Sequence, residues 1–192
     1  MTRVFIALDL SDAAREALDR DLRRLARALP AARLSDPASL HLTLAFLGEV
    51  DDATLAAVIA ATGEVTRATA PFELALAKLG VFGPREAPRV IWAGVGGDLP
   101  PLRALQRRLT DALEPLGFPH ETRPFSPHLT LARLKQPLTL GGTRRLAALL
   151  AARPPAPTRW QVAEAHVMRS DLAATVARYS ILSVAPFAGA SE

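Results

Sequence analysis

Short apolar runs alternate with helical periodicities along most of this 192-residue chain. Val4 to Leu8 is β-branched and aromatic, which reads as a strand. Ser11 stands where an N-cap belongs, and Leu18, Leu22, Leu25 and Leu29 then recur at helical spacing until Pro30. Leu40 to Leu47 reads as a second strand, ended by Gly48. Asp51 and Asp52 open a helix that runs to about Arg67, and Pro71 precedes a strand from Phe72 to Leu79. GPREAP at 83–88 is turn chemistry and the clearest internal boundary.

Beyond that boundary the order of elements starts again. Val90 to Val95 reads as a strand, and Asp98 as the cap of a helix from about Pro100 to Leu116. A strand over Leu129 to Leu134, a helix over Arg144 to Ala152 and a strand over Trp160 to Met168 come next. Arg178 to Val184 adds a last strand, after which the end of the chain is expected to fray. Residues 41–47 read HLTLAFL and residues 128–134 read HLTLARL, six identities in seven at an offset of 87. The same offset carries the strand at 4–8 to 91–95, the helix at 12–29 to 99–116, and the strand from 72 to 159 onward. It also brings the helix after 52 near 139–153. One offset aligning five elements in order indicates a duplicated β-α-β-α-β unit. The expected organisation is one two-lobed α+β domain, with a first repeat over about 1–82 and a second over about 89–186.

Side chains alternate faces along a strand, so His41, Thr43 and Ala45 should share one face while Leu42, Leu44 and Phe46 share the core face. The second copy repeats this with His128, Thr130 and Ala132 against Leu129 and Leu131. A lone histidine on a strand is usually structural, and His120 and His166, which lack the His-x-Thr pattern, are read that way. The duplication presents the same polar pair twice, and a pseudo-twofold axis would set the two pairs across a shared cleft. Imidazole titrates near pH 6.5, so two opposed rings can serve as general base and general acid at one phosphorus atom. Threonine hydroxyls can hold the non-bridging oxygens. Strict alternation turns Arg133 away from the histidine face, although a twisted strand end would make it a candidate substrate contact.

Composition narrows the chemistry. The chain has no cysteine, which excludes disulfides, thiolate metal sites and a thiol nucleophile. No Asp/Glu cluster at metal-ligand spacing accompanies the histidines, and no P-loop sequence occurs, so no metal or other cofactor is called for. No apolar run approaches the roughly 20 residues that span a bilayer, and the N-terminus lacks a secretory pattern, so a cytoplasmic location is expected. Of 23 cations 21 are arginine; residues 1–87 carry 10 cations and 12 anions, and residues 88–192 carry 13 and 7. A basic second half suits an anionic substrate.

The two HLTL motifs at 41–44 and 128–131, in a duplicated chain of this length, resemble the 2H phosphoesterase superfamily. RVFIALDL at 3–10, HLTLAFLGEV at 41–50, RVIWAGV at 89–95, RPFSPHLTLARLK at 123–135 and the MRSDL–ARYS segment at 168–180 resemble bacterial RNA 2',3'-cyclic phosphodiesterases. These LigT-like proteins are also called 2'-5' RNA ligases. One departure stands out: where many members carry an aromatic residue shortly before the first motif, this chain has Ala32-Arg33-Leu34. The resemblance implies two pseudo-symmetric lobes with antiparallel-rich sheets around a central cleft. It implies hydrolysis of a terminal 2',3'-cyclic phosphate to a 2'-phosphomonoester, and its reversal as ATP-independent 2'-5' ligation. It implies His41 as proton donor, His128 as proton acceptor, and Thr43 and Thr130 as phosphate holders. The partner it implies is RNA ending in 2',3'-cyclic phosphate, such as tRNA fragments or oligonucleotides, with no membrane and no obligate protein partner. Two alternatives compete: a related enzyme acting on another small cyclic phosphate, and a non-catalytic nucleotide- or RNA-binding module.

Overall fold

The computed structural model describes residues 1–84, 87–152, 158–171 and 178–189. The first repeat runs β1 (Thr2–Leu8), α1 (Asp12–Ala28), β2 (Arg33–Leu34), β3 (Leu42–Val50), α2 (Asp52–Arg67) and β4 (Phe72–Phe82). The second runs β5 (Val90–Gly97), α3 (Leu99–Leu113), β6 (His128–Arg133), α4 (Leu140–Ala151), β7 (Arg159–Val162), β8 (Glu164–Asp171) and β9 (Arg178–Pro186). Part of the turn-rich boundary, Arg85 and Glu86, lies outside the described residues, as do the terminal residues whose fraying was expected.

Local chemistry sets the helices. Ser11 caps α1 by accepting from the Ala14 amide, and Asp51 caps α2 by accepting from Thr54. Helix α4 starts at Leu140, earlier than its apolar residues suggest, because Thr139 caps it through the Gly142 amide. Asp98 precedes α3 without capping it, and its carboxylate accepts instead from the Glu73 amide at 3.0 Å. That helix ends at Leu113 and tightens into a 3-10 turn over Glu114–Leu116, stopped by Gly117 in the left-handed region. The leucine stripes of α1 (Leu18, Leu22, Leu25) and α3 (Leu102, Leu105, Leu109, Leu113) are buried in one continuous core.

Two antiparallel sheets form, ordered β3-β1-β8-β9 and β2-β6-β5-β4-β7. Each draws strands from both repeats: β4 joins β5 of the second repeat, and β8 joins β1 of the first. The helices follow suit, α2 packing on α3 and α1 on α4. The duplicated unit thus builds two pseudo-symmetric lobes by exchanging its third strands. This exchange explains why the single strand expected over Trp160 to Met168 is two. Strand β7 pairs with β4 in one sheet, β8 pairs with β1 in the other, and the chain changes sheet at Ala163. Gly48 does not end β3, which passes through it at positive φ and continues to Val50. The two-residue strand β2 has no counterpart among the expected elements.

Candidate active site

His41 enters the site at the start of β3 and His128 at the start of β6. The Nδ1 of His41 lies 2.8 Å from the Ser39 carbonyl, and that of His128 lies 2.7 Å from the Ser126 carbonyl. A carbonyl only accepts, so Nδ1 is the donor in both rings and Nε2 is left for chemistry. The same bond to the residue two positions upstream recurs at an offset of 87. It fixes tautomer and orientation twice over.

Aromatic rings back each imidazole. Phe5 lies 4.6 Å and Tyr179 5.1 Å from the His41 ring, centroid to centroid. Phe82 meets His128 edge-on at 4.8 Å, with Trp92 behind at 6.4 Å. Burial lowers the His41 pKa below its ordinary value. The Ser39 carbonyl and Asp9 oppose that shift, and Arg15 adds to it. Arg15 also holds the segment ahead of His41, donating through Nη1 to the carbonyls of Pro37, Ala38 and Leu40, each at 3.1 Å, while Nη2 pairs with Asp9. Pattern alone gives no sign of this clamp, since an arginine on an amphipathic helix reads as a solvated residue.

Both histidines, Thr43, Thr130 and Arg133 line one cleft of about 880 Å³. The alternation argument fails beyond the threonines, for the same reason in each copy. In β3 the register against β1 shifts between Ile6 and Ala7, leaving Leu44 as an extra residue; in β6 the shift against β5 leaves Leu131. These bulges sit at equivalent positions and flip the face of the residues beyond them. Ala45 and Ala132, expected beside the histidines, pack with the core instead. Phe46, expected in the core, is 50% exposed and lines the cleft, with the Arg3 guanidinium 4.8 Å from its ring centre. Arg133, which strict alternation turned away, lines the cleft too. The bulge supplies the turn that a twisted strand end was expected to give.

Neither Thr43 nor Thr130 has a hydrogen-bond partner for its hydroxyl among the described residues. The helical Thr62, Thr66, Thr110 and Thr143, and Thr69 just beyond α2, all donate to carbonyls of the preceding turn. The other two histidines stand apart: His166 is buried and meets Glu164 at 2.7 Å, and His120 faces Asp111 at 3.3 Å. Among the described residues no group of three His, Asp or Glu side chains could hold a metal ion, and no helix is long and apolar enough to cross a membrane.

The profile of the 2'-5' RNA ligase superfamily matches residues 10–174. The chain belongs to this superfamily. A Geobacillus stearothermophilus relative named RNA 2',3'-cyclic phosphodiesterase is 36% identical over 98% of the chain, which spans 58% of that protein's length. An Archaeoglobus fulgidus relative of the same name is 34% identical, over 70% of the chain and 73% of its own length. Among solved structures, a Thermus thermophilus protein superposes with a TM-score of 0.79 at 30% identity, over 98% of this chain and 100% of that one. Escherichia coli LigT complexed with 3'-AMP superposes at 0.72 with 28% identity, over 97% and 98% respectively. The fold is therefore that of the LigT-like 2H phosphoesterases.

One support of this superfamily member's second histidine rests on a glycine. Gly80 of β4 lies opposite Trp92 of β5, and a Cβ there would sit 2.3 Å from the indole ring. Gly80 lets Trp92 lie flat, where it packs on Phe82 at 5.2 Å and so backs His128. Gly80→Ala must displace the indole. It should cost about 1–3 kcal/mol, as overpacking does, and lower turnover as His128 loses its seat. Thermal unfolding and kcat measure both effects; an unaltered kcat would show that Trp92 does not position His128.

Proposed function

We propose that this chain hydrolyses the 2',3'-cyclic phosphate at RNA ends to a 2'-phosphomonoester, by general acid–base catalysis between His41 and His128. The observation that carries the reading is the pair of histidines, each locked through Nδ1 and each with a cleft-lining threonine two residues on, around one cavity. His128 Nε2 takes a proton from water as the water oxygen bonds to phosphorus. His41 Nε2 gives its proton to the 3'-oxygen as the P–O3' bond breaks. Thr43 and Thr130 donate to the non-bridging oxygens, where charge builds. Run backwards with an RNA alcohol in place of water, the same groups would join ends through a 2'-5' linkage without ATP. The names of the Geobacillus and Archaeoglobus relatives support the substrate. So do Arg3, Arg33, Arg133 and Lys135, against Asp36, on the cleft lining. The exposed face of Phe46 offers a nucleobase a surface to stack on.

The test is incubation with cyclic-phosphate-ended RNA and with 2',3'-cyclic mononucleotides in EDTA. Turnover of both is expected, with RNA preferred. No turnover would favour a binding module, and a preference for a small cyclic phosphate would favour the related-enzyme alternative.

The pH profile carries a second expectation. One histidine must be protonated and the other neutral, so kcat/KM should be bell-shaped, its limbs belonging to the coupled pair. Burial favours neutral His41, so one limb should lie below the ordinary value of 6.5. The substrate's negative phosphate then favours the imidazolium that a donor requires. Tyr179→Ala removes part of the burial, which raises the His41 pKa and should move that limb upward. A limb that stays put, or a rate that climbs to a plateau only with added metal, would overturn the assignment.

A further inference from the structure

Ser170 of β8 lines the cleft and is only 8% exposed, yet its hydroxyl has no hydrogen-bond partner among the described residues. A hydroxyl withdrawn from water and left unpaired is costly, so it calls for a partner from outside the fold. Two further donors stand on the same face. Tyr179 of β9 is the cross-strand partner of Ser170, lines the cleft, and has no bond to its hydroxyl among the described residues. Arg3 of β1 falls one position beyond the Val4–Arg169 pair, which sets it across from Ser170. Its guanidinium lies 4.8 Å from the Phe46 ring centre. It makes no hydrogen bond or ion pair among the described residues, not even with Glu49, its partner on β3. Stacking engages the face of a guanidinium and leaves its fork of in-plane donors free. One cation and two hydroxyls with no acceptor between them suit an anion that presents several oxygens.

We infer that Arg3, Ser170 and Tyr179 form an anion subsite, which takes the phosphate on the 5'-oxygen of the nucleotide that carries the cyclic phosphate. The inference rests on the proposed reading of the cleft and narrows its substrate to ends that bear such a phosphate, as every RNA longer than one nucleotide does. The reaction assigns the side. Attacking water and leaving 3'-oxygen lie roughly in line across phosphorus. His41 protonates the 3'-oxygen, so the ribose, and with it the 5'-oxygen, lies on the His41 side of the cleft. Tyr179 stands on that side too, its ring meeting His41 edge-on at 5.1 Å. Distance separates the subsite from the reacting phosphate. Thr43 pairs with Ala7, and Arg3 lies four residues further along β1, about 13 Å at the usual rise.

The experiment compares kcat/KM for a nucleoside 2',3'-cyclic phosphate with that for the same compound phosphorylated on its 5'-oxygen. This adds the phosphate without a neighbouring nucleoside. The unsubstituted protein should prefer the 5'-phosphorylated compound, and Ser170→Ala should lower that preference about tenfold, the equivalent of 1.4 kcal/mol. Arg3→Gln should lower it at least as far and reduce its salt dependence, by a log–log slope of about 0.7 for one phosphate contact. Arg3→Lys keeps the charge but not the fork and should retain part of the preference. Tyr179→Phe should lower it too, since this change keeps the ring against His41 and removes only the donor. Thermal unfolding verifies the fold, which the loss of an unpaired hydroxyl in Ser170→Ala should preserve. A preference that Ser170→Ala or Arg3→Gln leaves unaltered would overturn the subsite and leave the proposed activity standing. So would the absence of any preference in the unsubstituted protein, or turnover of cyclic-phosphate-ended RNA alone. Failure of the unsubstituted protein on these compounds and on that RNA alike would overturn both readings.

Discussion

His41→Ala and His128→Ala should each lower turnover of cyclic-phosphate RNA by about 10²–10⁴-fold, the range for removing a general acid or base. Neither change threatens the fold, because each histidine lines the cleft at a strand start and the bond it loses is a single one to the carbonyl two residues upstream. The double variant should be little worse than either single one. A proton must be delivered to the leaving oxygen while another is withdrawn from water, and with one carrier gone the second has no partner in the step. Losses that multiply in the double variant would show two independent functions instead of one unit. A single variant with near-normal turnover would sink the paired mechanism, whichever histidine it concerned.

The two single variants should also respond differently to the leaving group. An RNA end bearing a better leaving oxygen needs less help from a proton donor, so it should recover rate in His41→Ala and not in His128→Ala. The sequence could not make this distinction from its own pattern, since the two HLTL motifs are identical. The structure offers an asymmetry in the Phe5 and Tyr179 burial of His41 and in the Arg15 clamp on its lead-in segment.

Much of the site is legible in the sequence because it is written twice. The His-x-Thr spacing, the leucine faces of both strands and the order of elements follow from local periodicity, and a single offset ties them together. The features that escape are set by partners distant in sequence. Exchange of β4 and β8 between the sheets is invisible in a repeat, because either copy's third strand suits either sheet. The bulges at Leu44 and Leu131 are equally hidden, since a bulge is a mismatch between two strands and leaves no mark in the residues of one. They decide the cleft's composition nonetheless. By turning Phe46 and Arg133 inward to it, the same backbone irregularity gives one half an aromatic ring and the other a guanidinium. Strand β2 is hidden because two residues carry no period at all. The roles of Gly80 and Arg15 likewise depend on residues they meet only in the folded chain.

Thr43→Val and Thr130→Val should each reduce transition-state stabilisation by about 1–3 kcal/mol, read as kcat/KM, while leaving thermal stability almost unmoved. Valine is nearly isosteric with threonine and suits a strand as well, so packing between the core-facing leucines on either side is kept. The hydroxyls have no hydrogen-bond partner among the described residues, so their removal strands no buried group. The effect must then come from the substrate. The loss should be greater in kcat than in KM if the oxygen each hydroxyl serves gains charge as water adds, because an interaction made only in the transition state raises the barrier without weakening the ground-state complex. Thr→Ser at either position keeps the donor and should recover most of the rate, which a purely steric role for the methyl group would not allow. Unchanged kinetics in both valine variants would return the two threonines to ordinary strand formers and leave the histidines to hold the phosphate by themselves.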